Sequence, residues 1–83
     1  MEIKKAYPKV VSVKATKDKR LLVTFSTGDV KTYDCKKLLK DSAFSPLKNN
    51  MLFLMARADK HGYGISWNDQ IDLSESELWL HGK

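Results

Sequence analysis

Cysteine, proline and long apolar runs are what this 83-residue sequence has least of: one Cys, two Pro, and no apolar stretch longer than Met51 to Ala56. A lone cysteine, Cys35, excludes an internal disulfide and a Cys-rich zinc site, and it fits a reducing compartment. A bilayer helix needs roughly 20 apolar residues, so a membrane span is excluded. The four glycines, at 28, 62, 64 and 82, form no phosphate-binding loop, and no serine lies in a Gly-x-Ser-x-Gly elbow. The opening Met-Glu-Ile-Lys-Lys-Ala-Tyr-Pro has charge but no apolar stretch behind it, which predicts a cytoplasmic protein without a secretory signal. A chain of this size buries only about 60–65% of its unfolded surface, so most apolar residues are needed in one core and little is left for a deep pocket.

What is present is charge, unevenly placed. Residues 1–60 carry a net charge of +8 and residues 61–83 a net charge of −3, within a total of +5. Such polarity suits an acidic partner or nucleic acid, and equally an acidic tail lying against its own basic sheet.

Periodicity supplies the elements. Val11, Val13 and Ala15 alternate with Ser12 and Lys14, which predicts a strand over 9–16 with the first set inward. Leu21, Val23 and Phe25 predict a second strand, and Thr27-Gly28 a hairpin with positive φ at Gly28. Val30 to Tyr33 follows as a third strand in which Val30 and Thr32 share one face. Tyr33 then covers the outer face, unless a bulge shifts the register. Asp34 can cap a short helix over 36–40, which Ser42 to Pro46 ends. Leu47 and Met51, four residues apart, predict another helical turn. Asp59 to Gly62 reads as a turn, and Tyr63, Ile65 and Trp67 as one face of a returning strand. Ile71 and Leu73 alternate around Asp72, and Ser74 to Glu77 fits a capping box before a helix over 75–80. Residues 1–83 are therefore expected to form a single small α+β domain, with antiparallel β-hairpins packed against short helices.

These residues resemble a small bacterial family, domain of unknown function 2442, over about 7–82. The resemblance rests on Val-Val-Ser-Val at 10–13, Phe25 to Asp29, Tyr33-Asp34, Leu38-Leu39 and Phe44 to Leu47. It continues through Tyr-Gly-Ile-Ser-Trp-Asn at 63–68, Ile71 to Leu73 and Glu77 to Trp79. It implies a compact α+β domain with no established activity. Some relatives look like partners of small neighbouring-gene proteins in toxin–antitoxin-like pairs, and others add a helix-turn-helix domain, which residues 1–83 are expected to lack.

No constellation for catalysis, cofactor or metal stands out. Cys35 beside Lys36-Lys37 could be a tuned thiol, but His61 and His81 lie far along the chain and a nucleophile needs a nearby base. The same histidines, with Asp59, Asp69 or Asp72, lack the i, i+4 spacing of a metal pair. Asp34 and Asp72 suit local hydrogen bonds at strand–helix junctions better than paired acid–base work. The chain is accordingly expected to be a non-catalytic protein-interaction domain, the antitoxin-like or regulatory partner of a small neighbouring-gene protein. Tyr33, Trp67 and Trp79 are its candidate contacts, the two tryptophans serving otherwise as core. The alternative is nucleic-acid binding on a basic hairpin face built from Lys9, Lys14, Lys31 and a stacking Tyr33. A homodimer through residues 73–80 is a further expectation, since apolar residues extend around much of that helix.

Overall fold

The computed structural model describes residues 7–83. Two antiparallel three-stranded meanders are formed in chain order. Sheet 1 holds β1 (Val10–Ala15), β2 (Arg20–Phe25) and β3 (Val30–Asp34), and sheet 2 holds β4 (Arg57–Ala58), β5 (Gly64–Asn68) and β6 (Ile71–Ser74). Between them run two 3-10 turns, Lys36–Lys40 and Ser42–Lys48, and the short helix α1 (Asn50–Phe53); α2 (Glu75–His81) closes the domain. The α+β class and the short helices are as the periodicity predicts. The Val10 N–H donates to the Gly62 carbonyl at 2.9 Å, tying β1 to the loop that leads into β5.

The alternation of β2 sets the core. Leu21, Val23 and Phe25 are buried and meet Ile65, Trp67, Ile71 and Leu73 of sheet 2 and Leu78 of α2 in one cluster. Because buried polar groups need partners, the Trp67 indole N–H donates to the Phe53 carbonyl at 2.9 Å while its ring stacks on Phe53. Lys19, the one described non-glycine residue with positive φ, turns β1 into β2. Its ammonium binds the Leu47 and Lys48 carbonyls and Asn50 Oδ1, pinning that turn to the start of α1.

Several expectations need correction. In β1 the register shifts between Val10 and Ser12, so Val10 is buried opposite Phe25 while Val11, expected inward, is 60% exposed. One extra residue in the strand is sufficient to turn a side chain from one face to the other. In β3 no bulge occurs: Tyr33 pairs with Leu21 and Lys31 with Val23, and Tyr33, expected on the outer face, is in the core at 5% exposure. Val30 and Thr32 do share a face, and it is the outer one. The first 3-10 turn does end at Lys40, but the break is the extended Asp41, and residues 42–46 belong to a second 3-10 turn that contains Pro46 and is capped by the Asp41 carboxylate accepting from the Ala43 N–H. Met51 does not join Leu47 inside, because Phe53 takes that place and Met51 is 80% exposed. Tyr63, just before β5, is exposed while Ile65 and Trp67 are buried. At α2 only half of the capping box forms: Ser74 Oγ accepts from the Glu77 N–H at 3.2 Å, but the Glu77 carboxylate turns to Tyr33.

Candidate interaction surfaces of sheet 1

Sheet 1 buries one face and leaves the other open. Register places Ser12, Thr24 and Val30 in one row and Lys14, Leu22 and Thr32 in the next, all on the outer face. The bulge adds Val11 beside Ser12. Val11 (60%), Leu22 (38%) and Val30 (61%) are therefore exposed around Thr24, with Lys14, Arg20 and Asp34 at the margin. An apolar centre with a charged rim is the usual anatomy of a protein-binding patch. The alternation carried the signal for Leu22, which lies between two inward residues. Val11 was hidden because a bulge leaves no mark in the sequence pattern.

The candidate partner contacts are distributed otherwise than expected. Tyr33 and Trp67 are buried and present no ring to a partner. Trp79 is half-buried: it meets Phe25 edge to face at 5.0 Å, and Lys31 Nζ lies 3.9 Å from its ring centroid while donating to the Trp79 carbonyl at 2.6 Å. That geometry also separates the four residues of the basic face. Lys14 is on the outer face, Lys31 and Tyr33 are on the inner one, and Lys9 Nζ lies over the Tyr63 ring at 3.9 Å. Other exposed cations stand on the 16–19 turn, at the start of β2 and on the first 3-10 turn, at Lys17, Arg20, Lys36, Lys37 and Lys40.

A groove of about 600 Å³ opens between β3, the first 3-10 turn and α2, lined by Tyr33, Lys37, Leu38, Glu77, His81 and Lys83 among others. At its base the Tyr33 hydroxyl donates to Glu77 Oε2 at 2.8 Å, and His81 Nε2 lies 3.9 Å from Glu77 Oε1. Burial first, and then Glu77, hold the Tyr33 phenol above its ordinary pKa. Cys35 is fully buried and its thiol is pushed up to about 12, by burial and then by Asp34, so no reactive thiolate is exposed. Asp34 Oδ1 accepts from the Lys36 N–H at 2.9 Å, the local hydrogen bond expected of it, although Cys35 and not Asp34 holds the N-cap position of the first 3-10 turn; Asp72 is exposed on sheet 2. His61 and His81 stand on different elements. Among the described residues, no three His, Cys, Asp or Glu side chains converge as a metal site, and no helix is long and apolar enough to cross a membrane.

A small α+β domain of two meanders closed by one helix, open on the outer face of its first sheet, is the class that this geometry defines. The chain belongs to the family described as "Protein of unknown function (DUF2442)", which it matches over residues 10–83. None of the curated proteins compared with it matches. It is similar to the crystal structure of a Nitrosomonas europaea protein described as a "Putative DNA Binding Protein". Identity is 25% and the TM-score 0.81, with the match covering 99% of this chain and 53% of that one. The chain thus spans about half the length of that relative.

Proposed function

We propose that this domain is a non-catalytic interaction module that binds a protein partner through the open face of sheet 1, as the antitoxin-like or regulatory member of a pair with a small neighbouring-gene protein. The observation that carries the reading is the exposed cluster of Val11, Leu22 and Val30 on a sheet whose opposite face already supplies the core. Fully burying an aliphatic side chain of this kind is worth about 1.5–3 kcal/mol, so three together can anchor a complex. The test is co-purification of the tagged chain with its neighbouring gene product, comparing the parent with Leu22→Glu. Association that Leu22→Glu abolishes supports the reading; no association at micromolar concentration defeats it.

A second reading, nucleic-acid binding, is favoured by the name of the Nitrosomonas europaea relative and by the exposed cations Lys17, Lys36, Lys37 and Lys40. The name belongs to a chain of which this domain spans 53%, so the reading ranks second. Phosphate contacts release counterions, so a true complex with DNA or RNA must weaken steeply as salt rises. A shift that is absent or insensitive to salt eliminates it.

A further inference from the structure

Sheet 2 also has an outer face, and its charges lie differently from those of sheet 1. Register sets Arg57, Ser66 and Asp72 in one row across β4, β5 and β6. The adjoining row of Ala58, Ile65 and Leu73 packs into the core, so this one faces outward, with Arg57 and Asp72 exposed and Ser66 half-buried between them. Two strand spacings of about 4.8 Å separate the charged pair. Among the described residues, neither Arg57 nor Asp72 has an opposite charge within 4.0 Å.

The next outward row is built in the same way. The Asp59 N–H donates to the Gly64 carbonyl at 2.9 Å and Gly64 pairs with Ser74, so Asp59 and Ser74 flank a glycine. The Asp59 carboxylate accepts from the His61 and Tyr63 N–H groups. A shallow hollow of about 200 Å³ lies over Gly64 and Ser66, walled by Asp59, Tyr63, Asp72 and Ser74. The centre strand thus presents only small side chains on this face and lets a second sheet come close, while the exposed Tyr63 supplies apolar area at the rim.

A cation on one flank, an anion on the other and small residues between them complement a copy of themselves. Turned about a two-fold axis along β5, the face sets each Arg57 opposite the other copy's Asp72, each Asp59 opposite a Ser74, and Ser66 opposite itself. An axis across the strands would set Arg57 against Arg57 and is disfavoured by repulsion. We propose that the domain forms a two-fold dimer through the outer faces of sheet 2, joined by reciprocal Arg57–Asp72 ion pairs. The dimer goes beyond the contact proposed for sheet 1, whose outer face it leaves open, and it seats the expected homodimer on β4 to β6 rather than on α2.

Sedimentation equilibrium of the whole chain from about 10 μM to about 1 mM should show a weak monomer–dimer equilibrium, as suits a small polar interface. The dimer should weaken further as salt rises, a readout that needs no variant. Arg57→Asp makes both flanks acidic and Asp72→Arg makes both basic, so each variant alone should associate about tenfold more weakly than the parent. Mixed in equal amounts, the two should form a heterodimer at least as tight as the parent dimer, because every opposed pair is then of opposite sign. Thermal unfolding reports that each variant is folded. Leu22→Glu, on sheet 1, should dimerise as the parent does. A parent that stays monomeric throughout, a dimer indifferent to salt and to both reversals, a mixture that does not associate, or a dimer lost in Leu22→Glu would overturn the proposal.

Discussion

The Tyr33 hydroxyl donates to Glu77 Oε2 across 2.8 Å, joining the edge strand of sheet 1 to the closing helix. The same bond explains why the capping box of α2 is half made, since the carboxylate that would reach back to Ser74 is held by Tyr33. Tyr33→Phe keeps the buried ring and removes the donor. Glu77 is partly exposed and can take water instead, so the expected loss is about 1 kcal/mol, read as a lower urea midpoint with an unchanged slope.

Cys35 gives a dependence on pH. Its thiol pKa stands at about 12 in the fold, against an ordinary 9.0, because burial disfavours the thiolate and Asp34 adds like charge. Above pH 9 the unfolded chain gives up this proton while the fold keeps it, so stability is full below pH 9 and is lost as pH climbs towards 12. Denaturant midpoints between these limits should fall less steeply for Cys35→Ala than for the parent. Parallel curves would show that another group governs alkaline unfolding. The folded parent should also resist thiol reagents at pH 8 until denaturant is added.

Local chemistry made most elements legible and long-range packing did not. The alternation of β2 was sufficient to place Leu21, Val23 and Phe25, and the Ser74 cap marked the start of α2. The face of Tyr33 was misread because Val30 and Thr32, both β-branched, suggest an inward set, whereas register with Leu21 decides the matter. A pairing partner 12 residues away is invisible to a local pattern. The interaction surface was legible only in part for the same reason: Trp67 is apolar enough for an interface but is claimed by the Phe53 carbonyl and ring, and Val11 reaches the surface through a bulge.

Gly28 and Gly64 should respond differently to substitution. Gly28 has φ of +93° at the hairpin turn, and a Cβ there meets nothing within 4 Å. Its replacement therefore costs backbone strain alone, about 1–2 kcal/mol for Gly28→Val and less for Gly28→Asn, which tolerates the left-handed region. At Gly64 a Cβ would stand 2.1 Å from the Leu73 carbonyl oxygen in the neighbouring strand. Gly64→Ala must part β5 from β6 and should cost more than Gly28→Val in the same thermal unfolding assay. Similar midpoints for the two would mean that β5 and β6 yield easily.

Leu22 tests whether the open face of sheet 1 serves binding or folding. Its neighbours Leu21 and Val23 are fully buried, yet Leu22 is 38% exposed, beside Lys14 and Thr32 on the outer face. A lysine at this position keeps its stem along the sheet and its ammonium in water but faces Lys14 across the strand pair, so Leu22→Lys should cost about 1 kcal/mol and still fold. Leu21→Lys, one residue earlier, would bury an unpaired charge and should prevent folding. If Leu22→Lys folds like the parent but no longer retains the neighbouring gene product, the face is a binding surface rather than an incidental apolar patch. A folded variant that retains the partner as well as the parent does would assign recognition to another part of the domain.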